Sequence, residues 1–157
     1  MLLIVINLAL IPRAVASLEQ LQLPSLTDNT TVSMTDFRGK VLLLSFFEPD
    51  CPWCYRQMKV FNQTQAQCNE QLQPLSVGIR GTDQKLRPEL RRAKVSYPAV
   101  RGTPLLLRLV GEIPATPWTL IFDPQGQLLG TWRGYMKFKQ VQSLFPEFCP
   151  PPESPLG

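Results

Sequence analysis

The apolar residues fall into short blocks separated by turn-forming residues. Positions 41–47 are apolar except for Ser45. Asp36, Arg38 and Gly39 precede the block and Pro49 follows it. A continuous run of this length between turn signals predicts a strand buried on both faces. Pro52 suits a first helical turn, and residues 53–67 carry a helical period, with Met58, Phe61 and Gln65 on one face and Val60 and Thr64 beside it. Residues 75–79 form a second apolar block closed by Gly81. A basic helix is expected to run to Lys94, its regular part starting near Pro88, and a short one covers 105–110, ending at Gly111. Residues 118–122 and 128–132 flank Asp123-Pro124-Gln125-Gly126, the pattern of a hairpin. A last helix is expected over 137–144, and 31–34 alternates as a short strand does, whereas 17–30 is mostly polar and irregular. The order is strand, strand, helix, strand, helices, hairpin, helix, which suits a central sheet covered by helices on both faces.

The two ends differ from this pattern. Residues 2–11 are apolar apart from Asn7, Pro12 and Arg13 follow, and Ala14-Val15-Ala16 has small residues at the spacing of a cleavage site. Residues 1–16 therefore read as a secretory signal peptide, although no Lys or Arg precedes the run. The run is short for a bilayer span, and a buried first element of the fold is the other reading. Residues 17–145 form the expected domain, and 146–157 is a Pro-rich tail read as irregular chain rather than packed core. The 157-residue length fits one domain.

Export implies an oxidising compartment in which disulfides persist, and four cysteines agree with it. The absence of His removes Ser-His and Cys-His catalysis and most zinc sites. The net charge of +4 points weakly to nucleic acid, and none is expected as a partner. Lys85, Arg87, Arg91, Arg92 and Lys94 fall on or just before one helix without interleaved aromatics, as a solvated face does.

The chemistry is concentrated in Cys51-Pro52-Trp53-Cys54. The spacing puts two sulfurs on one side of a helix start, close enough to bridge. Unpaired N–H groups and the helix dipole there favour an anion, which lowers a thiol pKa and makes Cys51 the nucleophile. Cys54, one turn inside, suits the role of resolving a mixed disulfide. A structural disulfide and a zinc site drawing on all four cysteines are the competing readings, the latter lacking knuckle spacing at Cys68 and Cys149. Those two cysteines are expected to bridge internally and staple the tail; free thiols, or a Cys149 pairing between chains, are the alternatives. Thr116-Pro117, just before a strand, reads by itself as an ordinary trans proline at a strand start.

These segments together resemble the thioredoxin superfamily, and within it the TlpA/ResA-like family of exported thiol–disulfide reductases. The resemblance is carried by residues 23–26, by 32–47 followed by the CPWC, by Leu75-Ser76-Val77-Gly78-Ile79, and by Ala115-Thr116-Pro117-Trp118 with 119–123 and Gly126. It covers residues 23 to about 145. It implies a thioredoxin-like α/β fold, a central mixed β-sheet with helices on both faces. It also implies that Cys51 attacks, that Cys54 resolves, and that Pro117 is cis beside them. Trp53, Thr116 and Pro117 would form the substrate-binding surface, with the Thr116 backbone offered to an extended segment. Three positions depart from the family: Asp50 where Trp often precedes the first cysteine, Ser45 where thioredoxins proper bury an Asp, and Ile79-Arg80-Gly81 where ResA-like members carry a Glu.

Pro52 and Trp53 supply no cation between the cysteines, and Glu48 and Asp50 would oppose a thiolate if close. The expectation is a moderately reducing protein rather than a strong oxidant. No metal is expected, and no cofactor beyond the redox-active Cys51–Cys54 disulfide. The resemblance implies protein thiol or disulfide substrates, apocytochrome cysteines among them, and recharging by a membrane thiol–disulfide carrier. The expected form is a monomeric, periplasmic or otherwise exported protein, anchored if the leader stays. An isomerase or oxidase using the same cysteines, and a binding module with a structural CPWC bridge, are the rival functions.

Overall fold

The computed structural model describes residues 18–151; the expected leader over 1–16 and the tail residues 152–157 lie outside them. The first strands among the described residues are two short ones, β1 (Gln22–Pro24) and β2 (Thr31–Ser33), paired antiparallel. A 3₁₀ turn, Met34–Phe37, follows directly. Ser33 stops the strand there: its hydroxyl accepts the Thr35 N–H, and Asp36 accepts the Ser33 N–H at 3.2 Å. The order then runs β3 (Val41–Phe47), α1 (Pro52–Gln67), β4 (Leu72–Gly78), α2 (Asp83–Ala93), β5 (Ala99–Arg101) and α3 (Pro104–Val110). It closes with β6 (Trp118–Phe122), β7 (Leu128–Arg133) and α4 (Phe138–Leu144).

The five-stranded sheet has the order β5-β4-β3-β6-β7. β3 lies at its centre, parallel to β4 and antiparallel to β6. Alternation along β3 feeds two cores. Leu42, Leu44 and Phe46 pack with Leu75, Val77, Val100 and Leu106 on the face that α3 covers. Val41 and Leu43 pack with Val60, Phe61 and Val141 on the face that α1 and α4 cover. Phe47 joins Met58, Leu86 and Leu90 between α1 and α2. The expected strand buried on both faces is this one, and every residue of it is buried.

Four features differ from the sequence reading. β4 starts at Leu72 and contains Pro74, because β5 pairs only with Ser76–Gly78 and leaves the sheet edge open at Pro74. The second helix starts at Asp83 and runs through Pro88, held by the burial of Leu86, Leu90 and Ala93. Proline in a helix interior costs roughly 3 kcal/mol, which apolar burial at this scale offsets. β1 and β5, three residues each, carry too short a period to be read from sequence. The first part of the tail is irregular in backbone yet packed: Cys149 is 1% exposed, and the Phe148 carbonyl accepts the Asn69 N–H at 2.6 Å.

Candidate active site

The CPWC segment sits where β3 hands the chain to α1, at the end of the central strand. Asp50 takes a left-handed backbone (φ 57°), which Asp tolerates better than most residues, and turns the chain sharply into the helix. Cys51 is the N-cap of α1 and Pro52 is its first residue. The approach loop is fixed from behind: a Cβ on Gly81 would come within 2.6 Å of Pro49 Cγ, so this position needs glycine. Arg80 also binds the loop, donating to Glu48 at 2.7 Å and to the Ile113 carbonyl.

Cys51 and Cys54 are joined as a disulfide with Cα atoms 5.2 Å apart. The Cys54 N–H donates to Cys51 Sγ at 3.2 Å, so an orphan donor of the first helical turn is aimed at that sulfur. Cys51 is partly exposed, whereas Cys54 is 2% exposed. The Thr116–Pro117 peptide is cis. It brings Thr116 against the sulfur, its hydroxyl donating to Cys51 Sγ at 3.7 Å and its carbonyl oxygen 3.8 Å away.

Beside the disulfide lies a cleft of about 590 Å³. Trp53, Arg56, Thr116, Pro117, Tyr135 and Lys137 line it. Trp53 is 52% exposed; its ring lies 5.7 Å from the Tyr135 ring, and the Arg56 guanidinium sits 4.6 Å over its centroid. The structure thus brings Cys51, Cys54, Trp53, Thr116 and Pro117 together. Cys68 and Cys149 are elsewhere, bridged at the C-terminal end of α1. All four cysteines are thus bridged, as two disulfides near the two ends of α1.

Arg56, Tyr135 and Lys137 were missed in the sequence, and so was Gln57, which explains how they meet. Gln57 is buried, accepts the Met136 N–H at 2.7 Å and donates to the Met136 carbonyl at 3.3 Å. This two-way bond ties the segment carrying Tyr135 and Lys137 to the active-site helix. A Gln on the apolar face of the helix was the available signal, since a buried amide needs partners. Ser45 takes the place of a buried carboxylate by accepting from the Thr119 hydroxyl at 3.0 Å, a neutral pair inside the sheet. Glu48 is engaged by Arg80, so its charge does not stand alone against the sulfur. Among the described residues no helix is long and apolar enough to cross a membrane.

Solved structures share this fold over most of the chain. A secreted Mycobacterium tuberculosis disulfide oxidoreductase homologous to E. coli DsbE is 13% identical with a TM-score of 0.71, over 87% of this chain and 99% of that one. A thiol:disulfide interchange protein of the thioredoxin family from Chlorobium tepidum TLS is 18% identical with a TM-score of 0.71, over 82% and 92%. StoA from Bacillus subtilis is 16% identical with a TM-score of 0.64, over 78% and 93%. No curated protein matches the sequence. The fold is thus the thioredoxin-like α/β fold of thiol–disulfide oxidoreductases, carrying a C-x-x-C disulfide at the start of its first long helix. Residues 16–137 match the model of the AhpC/TSA family, and the chain belongs to that family.

Proposed function

We propose that this protein is an exported thiol–disulfide oxidoreductase of the TlpA/ResA-like kind that reduces disulfides in other proteins. One observation carries the reading: the partly exposed Cys51 sulfur accepts an N–H of the first helical turn and faces a cis proline and an open cleft, while Cys54 is buried behind it. A helix N-terminus stabilises the thiolate of the sulfur at its mouth.

The reaction follows from that asymmetry. In the reduced protein the Cys51 thiolate attacks one sulfur of a substrate disulfide. A mixed disulfide forms, and the second substrate sulfur leaves as a thiolate that takes up a proton. Cys54 then loses its proton and attacks Cys51 Sγ. The first substrate sulfur is expelled and protonated, and the Cys51–Cys54 bridge is restored. Two electrons pass to the substrate, so a dithiol reductant must recharge the protein; a membrane thiol–disulfide carrier fits an exported location. Thr116 and Pro117 hold the substrate segment as an added strand, and Trp53 gives it an aromatic edge. Export rests on the leader pattern of residues 1–16 and agrees with the secreted relative. Electron flow towards substrate rests on a motif with no cation between its cysteines.

Insulin reduction by dithiothreitol tests the activity. Wild type accelerates it, and Cys51→Ala returns it to the uncatalysed rate; equal rates would defeat the reading. Cys54→Ala freezes the mixed disulfide with the natural partner. Equilibration with glutathione is expected to place the potential well below the roughly −120 mV of DsbA-type oxidants, and a value near that figure would reverse the proposed direction.

A further inference from the structure

The cleft beside the disulfide is lined by cations and by no carboxylate. Arg56 and Lys137 both line it, together with the Trp53 and Tyr135 rings, which pack against each other at 5.7 Å. None of the ion pairs among the described residues engages either cation. Asp50 shares a separate depression with Arg56 on the other flank of the helix start, where Arg92 also stands. Arg133, on β7 next to this segment, is stacked over Trp118 at 5.1 Å rather than paired with an acid. Both cations belong to exposed residues, and each is anchored near the cleft by its surroundings. Arg56 lies against the Trp53 ring, and the segment carrying Lys137 is tied to α1 through Gln57 and Met136.

We infer that this cleft selects substrates in which the reacting cysteine is flanked by acidic residues in an extended segment. The inference rests on the proposed oxidoreductase activity and names its substrate class. A segment laid along Thr116 and Pro117 carries its neighbouring side chains past Arg56 and Lys137, which line the same cleft. Carboxylates at those positions gain two charge-assisted contacts, and cations there meet repulsion. Each exposed pair is worth roughly a 1.4- to 5-fold factor, so two together give a preference of about 2- to 25-fold. The same charges steer encounter, so the preference resides largely in the association rate and falls with salt.

The test uses the reduced full-length protein and three disulfide peptides of one length, with Glu, Gln or Lys on both sides of the cysteine. Second-order oxidation rates are followed by Trp fluorescence, each divided by that peptide's rate with dithiothreitol to remove its intrinsic reactivity. The expected order is Glu over Gln over Lys, with Glu exceeding Gln about 2- to 25-fold at low salt. The order should collapse near 0.5 M salt, where screening is strong, as roughly expected for exposed charges. Arg56→Gln combined with Lys137→Gln should bring the Glu-to-Lys ratio close to one, while a distant charge change, Lys94→Gln, should leave it. Equal rates for the three peptides, or an order that survives in the double variant, would overturn the inference while leaving the oxidoreductase reading intact. If no peptide oxidises the reduced protein, both fail.

Discussion

Helix α1 carries a disulfide at each end, and the two ends are physical opposites. Cys51 is the N-cap, where helix N–H groups point at its sulfur; Cys68 is the C-cap, where the helix presents carbonyl oxygens. The first end favours a thiolate and the second disfavours it. The first bridge spans a sequence separation of 3 and borders an open cleft; the second spans 81 and is capped by the buried Cys149. Cys68 and Cys149 lie in the core cluster that also holds Phe61, Tyr97 and Val141. One end is thus arranged for exchange and the other for retention, in one chain under one redox environment. The neighbourhood of a sulfur, more than its being bridged, decides which it does.

Removing each bridge sharpens the contrast most. Cys68→Ser with Cys149→Ser should cost about 4 kcal/mol of unfolding free energy in urea, since a long loop regains its freedom, while insulin reduction persists. Cys51→Ser with Cys54→Ser should cost less, about 2 kcal/mol in the same treatment, yet abolish turnover. A stability loss larger at the CPWC end would break the division of labour. Next in size is Gln57, which sits between the two ends. Gln57→Leu leaves the Met136 N–H and carbonyl without partners and should cost about 1–3 kcal/mol. It should also loosen the Tyr135 wall, seen as a shift of Trp53 fluorescence.

The smallest expected effect tests the retained end. Tyr97 is buried edge-on to Phe61 at 5.9 Å and bonded to the Ser76 hydroxyl at 3.0 Å. Burial pushes its hydroxyl well above the ordinary value near 10, and the Ser76 bond opposes this only in part. The folded state therefore holds this proton more tightly than the unfolded one. That stability is complete below about pH 10 and is lost as pH rises further. Tyr97→Phe should lose about 1 kcal/mol at neutral pH through the stranded Ser76 hydroxyl. Its denaturation midpoint should fall less steeply than that of wild type from about pH 10 to 12.

The elements with strong periods were legible in the sequence. The run 41–47, the helix after the CPWC and the hairpin around Asp123 are where they were expected. What escaped depended on distant partners. β1 gains meaning only by pairing with β2, and β5 only by pairing with β4. Pro88 reads in the sequence as the start of a regular helix, but burial of Leu86 and Leu90 carries the helix through it, and β4 extends back through Pro74 at an open sheet edge. At the site, the cysteines and Thr116-Pro117 were marked by local spacing. Arg56, Tyr135 and Lys137 were not, because Gln57 joins segments 79 positions apart through a backbone amide. Glu48 was expected to oppose a thiolate if close, and the structure pairs it with Arg80, just beyond β4.

The account stands on a thiolate at the mouth of α1. The reduced protein, with its Cys68–Cys149 bridge intact, should be alkylated by iodoacetamide across pH 4 to 10 and its labels mapped. Modification at Cys51 rather than Cys54, with an inflection clearly below the free-thiol value of about 8.5, is the predicted result. An inflection at or above that value, or labelling of Cys54 ahead of Cys51, would contradict it.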